Sequence, residues 1–163
     1  MPVATVVLPT HDHGPLLRLS LKSVQEQTVE DLEIFVIGDG VPDETRELVA
    51  EISREDPRVR FFDNPKGPRN GEIHRHAALA EARGEIVCYQ SDDDLWLPDH
   101  VADLRGLLTA ADFAHTIALS VGPDGSVCGK GVRGIFSPGV EWNLYERASD
   151  AAHVPPAPPC SGW

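Results

Sequence analysis

Cysteine is scarce in this 163-residue chain: Cys88, Cys128 and Cys160 stand far apart and are odd in number. No disulfide framework and no cysteine-based zinc pattern follows from that spacing, and the expectation is a reduced, cytoplasmic chain. Positive charge is also short. The 14 Lys and Arg face 26 Asp and Glu, a formal net charge of -12. That balance argues against nucleic acid or an anionic membrane surface as a partner. It leaves room for a bound nucleotide, because a metal ion or local basic residues can supply the positive charge. No apolar run approaches the ~18 residues of a transmembrane helix. Residues 1–5 show no basic segment leading into a long apolar one, so no secretory signal is read. Several motifs are missing too. There is no Gly-x-Gly-x-x-Gly after the first apolar run and no Gly-rich loop ending in Lys-Ser or Lys-Thr. There is no nucleophile elbow and no zinc-protease helix. A dinucleotide-binding Rossmann domain and a P-loop protein are thereby disfavoured.

What the chain does have is an ordinary globular composition, 41% hydrophobic and 25% charged, at a length suited to one domain with a real core. Residues 3–8 and 32–37 are nearly continuous apolar runs, as expected of strands covered on both faces. Residues 58–62 read as a shorter strand, and residues 86–89 as a fourth, buried one. Between them lie helical patterns. Pro15 can open a helix with Leu17, Leu21 and Val24 on one face. Asp43 can cap a helix bearing Leu48, Val49 and Ile52. Residues 73–83 carry Ala77, Ala78 and Leu79 inward, with Gly84 as the C-terminal cap. After Pro98, Val101, Leu104 and Leu108 share a face. Strands alternating with helices predict βαβ units and a mostly parallel sheet. Residues 113–121 read as one more strand, turning at Gly122-Pro123-Asp124-Gly125 into Val127 and Cys128. The expected division is an α/β domain over 1–128 and an irregular, Pro-rich segment over 129–163.

The stretch that organises the rest is Ile86-Val87-Cys88-Tyr89-Gln90-Ser91-Asp92-Asp93-Asp94-Leu95-Trp96-Leu97-Pro98. Three adjacent carboxylates at a strand end repel one another unless a cation or solvent relieves them. Such a cluster sits where ligands bind in open α/β sheets. Hard oxygen ligands there suit Mn²⁺ or Mg²⁺ bridging to substrate phosphates. With parallel strands, the loops at residues 9–13, 38–40 and 91–94 leave the same edge, so Asp12, Asp39 and the triplet are expected to cluster. Asp39, between Gly38 and Gly40, can accept a hydrogen bond from a base or ribose. Arg75 can pair with a diphosphate, and Lys66 is a second candidate for that role. His11, His13, His74 and His76 form two His-x-His pairs, but both fall in loops or helix starts. A stacking role for His11 and a polar contact for His76 fit better than zinc.

These blocks resemble glycosyltransferase family 2. Val6-Val7-Leu8-Pro9-Thr10-His11-Asp12 is similar to the family's opening strand and loop. Ser23 to Thr28 followed by Leu32 to Gly40 resembles the next block, with Gly38 in place of the first of two aspartates. Arg75-His76-Ala77-Ala78-Leu79 with Gly84-Glu85 resembles the helix before the metal-binding strand. Asp92-Asp93-Asp94-Leu95-Trp96-Leu97-Pro98 resembles the Asp-x-Asp region. The match spans roughly residues 3–108.

The resemblance implies a GT-A fold, a Rossmann-like donor-binding half followed by an acceptor-binding half, with the present chain truncated at its C-terminus. It implies a nucleotide-sugar donor, most often a UDP-sugar, and transfer to an unknown sugar, lipid or other acceptor, with inversion. Pro9, Thr10, His11 and Asp39 would bind the base, Arg75 the base or diphosphate, and Asp92 the ribose. Alignment on Trp96 puts Asp93 at the metal-chelating position and Ser91 where many members carry the first aspartate. The catalytic base is left unassigned. A nucleotide-sugar-binding module without turnover is the alternative. A sugar-phosphate nucleotidyltransferase is a third reading, opposed by the lack of a basic Gly-rich loop at residues 9–14.

Overall fold

The computed structural model describes residues 1–129. The Pro-rich segment expected over 129–163 lies, Gly129 apart, outside the described residues. In chain order the elements of the first compact unit are β1 (Ala4–Thr10), α1 (Gly14–Gln25), β2 (Leu32–Asp39), α2 (Asp43–Glu55), β3 (Val59–Asn64), α3 (Glu72–Leu79), β4 (Ile86–Tyr89) and α4 (His100–Leu107). This unit closes at Ala114, short of the boundary at residue 128 drawn from the sequence. The four strands form one sheet in the order β3-β2-β1-β4, and every pairing is parallel. The expected α/β sheet flanked by helices is therefore present.

Alternation along the strands sorts the core into two layers. Val6, Leu8, Ile34 and Val36 pack with Leu17, Leu21 and Val24 of α1, Val49 and Ile52 of α2, and Val101 and Leu104 of α4. Val7, Phe35 and Ile37 face the other way, onto Ala78 and Leu79 of α3. Burying the α1 side chains contributes about 2 kcal/mol each, which outweighs any helix propensity in holding α1 on the sheet.

Several local expectations are corrected. Asp43 is the first residue of α2, not its cap; Pro42 precedes the helix and Asp43 pairs with Arg46 instead. Gly84 is not the cap of α3, which ends at Leu79. After it the chain tightens into three-residue turns, Ala80 N–H to Ala77 O, Glu81 N–H to Ala78 O and Ala82 N–H to Leu79 O. Gly84 is needed for a different reason: a Cβ there would lie 2.2 Å from Thr5 N of β1. Ala77 faces solvent. β4 is a sheet-edge strand rather than a buried one, with Val87 and Tyr89 43% and 56% exposed and Cys88 buried. Of the strand expected over 113–121, only Leu119–Val121 forms.

That segment, β5 (Leu119–Val121), pairs antiparallel with β6 (Val127–Gly129) in a separate hairpin. Gly125 takes φ +80° in its turn, and Asp124 accepts the Ser126 N–H (3.0 Å). Cys88 is free, and burial pushes its thiol up to about 11. Cys128, in contrast with the reduced state expected, is disulfide-bonded. Among the described residues no helix is long and apolar enough to cross a membrane.

Candidate functional site

Strand order fixes where a ligand can sit. The chain moves outward from β1 to β2 to β3 and then returns to place β4 on the other side of β1. The loops after β1 and β4 therefore part from each other at the carboxyl edge, which opens a crevice there. The acidic loop lies at this point, and its three carboxylates do not behave alike. Asp92 turns inward, 8% exposed, and accepts a 2.9 Å hydrogen bond from His13 Nδ1 on the loop after β1. That bond and the Asp92 charge hold the His13 imidazole above its usual 6.5. Asp93 and Asp94 face solvent. Asp93 accepts the Ser91 hydroxyl. Mutual repulsion is thus relieved by direction: one carboxylate is buried on an imidazole and the others are hydrated.

α1 backs this loop with a row of polar groups. Ser20 Oγ donates to Ser91 O (2.7 Å). Gln90, 3% exposed, donates to Ser20 Oγ (3.1 Å) and to Asp94 O (2.8 Å). Trp96 N–H reaches Ser23 Oγ (3.1 Å). Just past the helix, buried Gln27 donates to Leu97 O (2.7 Å) and accepts from Val101 N–H (2.9 Å). The acidic loop is therefore anchored at Gln90–Ser91, at Trp96–Leu97 and at the start of α4, leaving Asp93 between fixed ends.

A second cluster surrounds Asp39 at the end of β2. Its carboxylate is 5% exposed; Oδ2 accepts from Lys66 Nζ (2.8 Å) and Oδ1 from Gly67 N–H (2.5 Å). His74 Nε2 is 3.7 Å from Oδ1 and 2.9 Å from Pro65 O. Burial alone would raise the Asp39 pKa, but the Lys66 and Gly67 hydrogen bonds and the Lys66 and His74 charges outweigh it and hold it below the usual carboxylate value. Arg69, Asn70 and Gly71 follow with φ of +49°, +53° and +69°, a left-handed turn that for the two non-glycine residues costs roughly 1–2 kcal/mol apiece. Gly71 lies flat on Asp39: a Cβ there would stand 2.8 Å from Asp39 Cγ. Backbone strain of this kind collects at ligand sites.

The profile of the family described as "Glycosyl transferase family 2" matches residues 5–144. The chain belongs to glycosyl transferase family 2. Among family relatives, a GalNAc(5)-diNAcBac-PP-undecaprenol beta-1,3-glucosyltransferase of Campylobacter jejuni is 34% identical over 94 residues, 58% of this chain and 30% of that one. A chondroitin synthase of Pasteurella multocida is 29% identical over 134 residues, 80% of this chain and 14% of that one. Among solved structures, a mannosyltransferase from Pyrobaculum calidifontis, in complex with GDP-Man and Mn²⁺, superposes with TM-score 0.56 at 30% identity. It is covered over 32% of its length by 66% of this chain. TarS 1–349 of S. aureus, in complex with UDP-GlcNAc, shares the fold with TM-score 0.56 at 23% identity, over 67% of this chain and 31% of that one. The chain thus spans about a third, or less, of each of these proteins. The fold is GT-A, as the resemblance implied.

Within the family frame, the sequence-predicted residues divide into two groups. Thr10, at the end of β1, is 4% exposed, and its Oγ1 is buried without a hydrogen-bond partner. Pro9 is half-buried and His11 exposed beside it. Asp92 and Asp93 sit at the crevice as described. Arg75, on α3, donates from Nη1 to Asn70 O (2.9 Å), steadying the left-handed turn. His76 is exposed on α3.

The expected single cluster of Asp12, Asp39 and the aspartate triplet does not form: among the described residues no group of three or more His, Cys, Asp or Glu is placed to hold a metal ion. The reason is spacing. β2 and β4 flank β1, so their loops start roughly 10 Å apart. Asp12 approaches only His13, at 3.9 Å.

Sequence reasoning missed His13 as a bridge, the Ser20, Ser23 and Gln27 supports, and Gly71. A signal existed for the supports, since Ser20 and Ser23 neighbour the buried Leu21 and Val24 of an amphipathic helix. A polar residue beside a buried stripe needs a partner.

Proposed function

We propose that this chain is the donor-binding part of a family 2 glycosyltransferase, holding a nucleoside-diphosphate sugar, a UDP-sugar in the first place, at the carboxyl edge of its sheet. The observation that carries this reading is the acidic loop at the switch point, with Asp92 buried on His13 and Asp93 presented between anchored ends. Pro9, Thr10, His11 and Asp39 take the base; the unpartnered Thr10 hydroxyl supports a ligand on that side. His11, exposed, offers a face for stacking. Arg75 keeps N–H donors beyond the one on Asn70 O for the base or diphosphate. Asp92 lies toward the ribose.

The donor set fits a divalent ion. A single exposed carboxylate is too little for an all-protein cage, but Mg²⁺ and Mn²⁺ are commonly held by one or two carboxylates plus substrate phosphates. Asp93 would hold the ion; when bound, it supplies Lewis-acid stabilisation of charge on the departing nucleoside diphosphate. The remaining work falls to the chain's own groups. His13 and Gln90 fix the loop so that Asp93 meets the diphosphate without reorganisation, and the base clamp sets the sugar's distance from it. The acceptor, a sugar, lipid or other hydroxyl-bearing molecule, attacks from the opposite face with inversion, helped by a general base not assigned to any residue here.

A second reading, a binding module without turnover, is favoured by the chain spanning at most about a third of the named transferases it matches. Donor hydrolysis in the absence of acceptor separates the two. The test of binding is calorimetric titration of UDP with and without Mn²⁺, repeated on Asp93→Ala. The expected outcome is Mn²⁺-dependent binding that the variant loses. Equal UDP binding by both proteins in Mn²⁺ would remove Asp93 from the metal site, and no nucleotide binding at all would sink the reading.

A further inference from the structure

Resting on the base site just proposed, we infer that Lys66 determines nucleotide specificity by occupying, in the unliganded protein, the acceptor position on Asp39 that an incoming base N–H takes over. Three sides of the Asp39 carboxylate are closed by backbone. Gly67 N–H lies 2.5 Å from Oδ1. Gly71 is packed so closely that a Cβ there would be 2.8 Å from Asp39 Cγ, and at Gly40 it would be 2.8 Å from Lys66 Cβ. None of these groups can leave without moving its loop. Lys66 is different. Its ammonium lies 2.8 Å from Oδ2, and its side chain is 52% exposed against 8% for Asp39. A four-carbon stem ending at the surface can swing away at small cost, so the ion pair is the one replaceable contact on the carboxylate.

The replacement has a chemical requirement. Oδ1 stays with the Gly67 amide, so Oδ2 is what displacement of Lys66 releases, and it asks for one N–H. Uracil presents a single N3–H between two carbonyls and meets that demand. Cytosine presents a bare N3 lone pair and is repelled by the carboxylate. Guanine presents two adjacent donors, N1–H and N2–H, and one of them would face an oxygen already engaged. Lys66 thereby sets a threshold: a base that cannot offer the lone N–H cannot displace the ammonium.

The test uses nucleosides without phosphate, so that Asp93 and metal ions do not enter. Uridine and cytidine are titrated by NMR into the wild-type chain, Lys66→Met and Lys66→Arg, with cooperative unfolding checked for each. With the competitor removed, Lys66→Met binds uridine about threefold tighter than wild type. Lys66→Arg, which keeps a cation on Asp39, shows no tightening, and cytidine remains weak throughout. If Lys66→Met fails to fold, Lys66→Gln replaces it, with a neutral donor on Oδ2 and a smaller gain in the same direction. Unchanged or weaker uridine binding in a folded Lys66→Met or Lys66→Gln overturns the inference, and so does equal tightening for cytidine. UDP binding by the wild type alongside such a result leaves the donor-site reading standing. Absence of both UDP and uridine binding in the wild type overturns the two together.

Discussion

Gly84 shows how a single residue can be recognised as necessary for the wrong reason. Its place after an alanine-rich helical run suggests a cap, yet the helix stops at Leu79. The glycine is there because β4 must enter the sheet against β1 with no room for a side chain. An added Cβ would meet Thr5 N at 2.2 Å, the Ala4 carbonyl carbon at 2.4 Å and Thr5 Oγ1 at 2.8 Å. The first two are backbone atoms and cannot rotate aside. The same residue donates its N–H to Thr5 Oγ1 (2.9 Å) and Glu33 Oε1 (3.1 Å), a carboxylate that is itself buried at the far edge of the sheet. Gly84→Ala must therefore push β4 away from β1 or break this junction. A loss of roughly 3 kcal/mol is expected, at the upper end of overpacking costs. Urea unfolding measures it; a midpoint within error of the wild type would show that the strand relaxes freely. Because β4 leads straight into Asp92, a variant that stays folded also has weaker UDP binding in Mn²⁺.

At the scale of elements, α1 is both a core helix and the mount of the acidic loop. Its apolar row, Leu17, Leu21 and Val24, was legible from spacing alone, as were β1 and β2 from their unbroken apolar runs. The polar row was not, because a serine or glutamine looks the same in sequence whether it faces water or a buried carbonyl. The same holds for the triplet: composition placed three aspartates at the strand end, but only the fold decides that Asp92 turns in to His13 while Asp93 turns out. Residues 38–40, 66–71 and 91–94 were legible as loops at one edge. That Asp39 and Asp93 would fall into separate clusters depended on the strand order. Gln27 tests the mounting. It is 4% exposed and joins Leu97 O to Val101 N–H, the latter buried. Gln27→Leu leaves both groups without that partner and is expected to cost about 3 kcal/mol, since each buried unpaired group costs ~1–3. Gln27→Glu keeps the bond from Val101 but turns an oxygen toward the Leu97 carbonyl, so its cost is expected to be no smaller. If instead both variants unfold with the wild type and bind UDP equally, the loop does not depend on α1 for its position.

At the scale of the whole molecule, the dominant fact is excess negative charge. A formal charge of -12 belongs to a chain whose proposed ligand is itself an anion, and whose ligand edge carries Asp12, Asp39 and three consecutive aspartates. Part of that edge is neutralised internally, by Lys66 on Asp39 and by His13 on Asp92. The remainder repels a diphosphate until a divalent ion joins the two. Salt distinguishes the regimes because the Debye length shrinks from ~30 Å at 0.01 M to ~10 Å at 0.1 M. Without metal, the long-range force on UDP is repulsive, so raising NaCl over that range should tighten binding by roughly twofold or leave it weak but not weaker. With saturating Mn²⁺, the force that assembles the site is attraction between the ion, the Asp93 carboxylate and the diphosphate, and the same rise in salt should loosen binding. The sign of the slope therefore inverts with metal, in contrast with a basic phosphate site, where salt weakens binding under both conditions. Titrations of UDP at 0.01, 0.03 and 0.1 M NaCl, each with Mn²⁺ and with EDTA, measure both slopes. Parallel downward slopes would mean that cations of the chain, Lys66 and Arg75 first among them, rather than an ion on Asp93, carry the diphosphate.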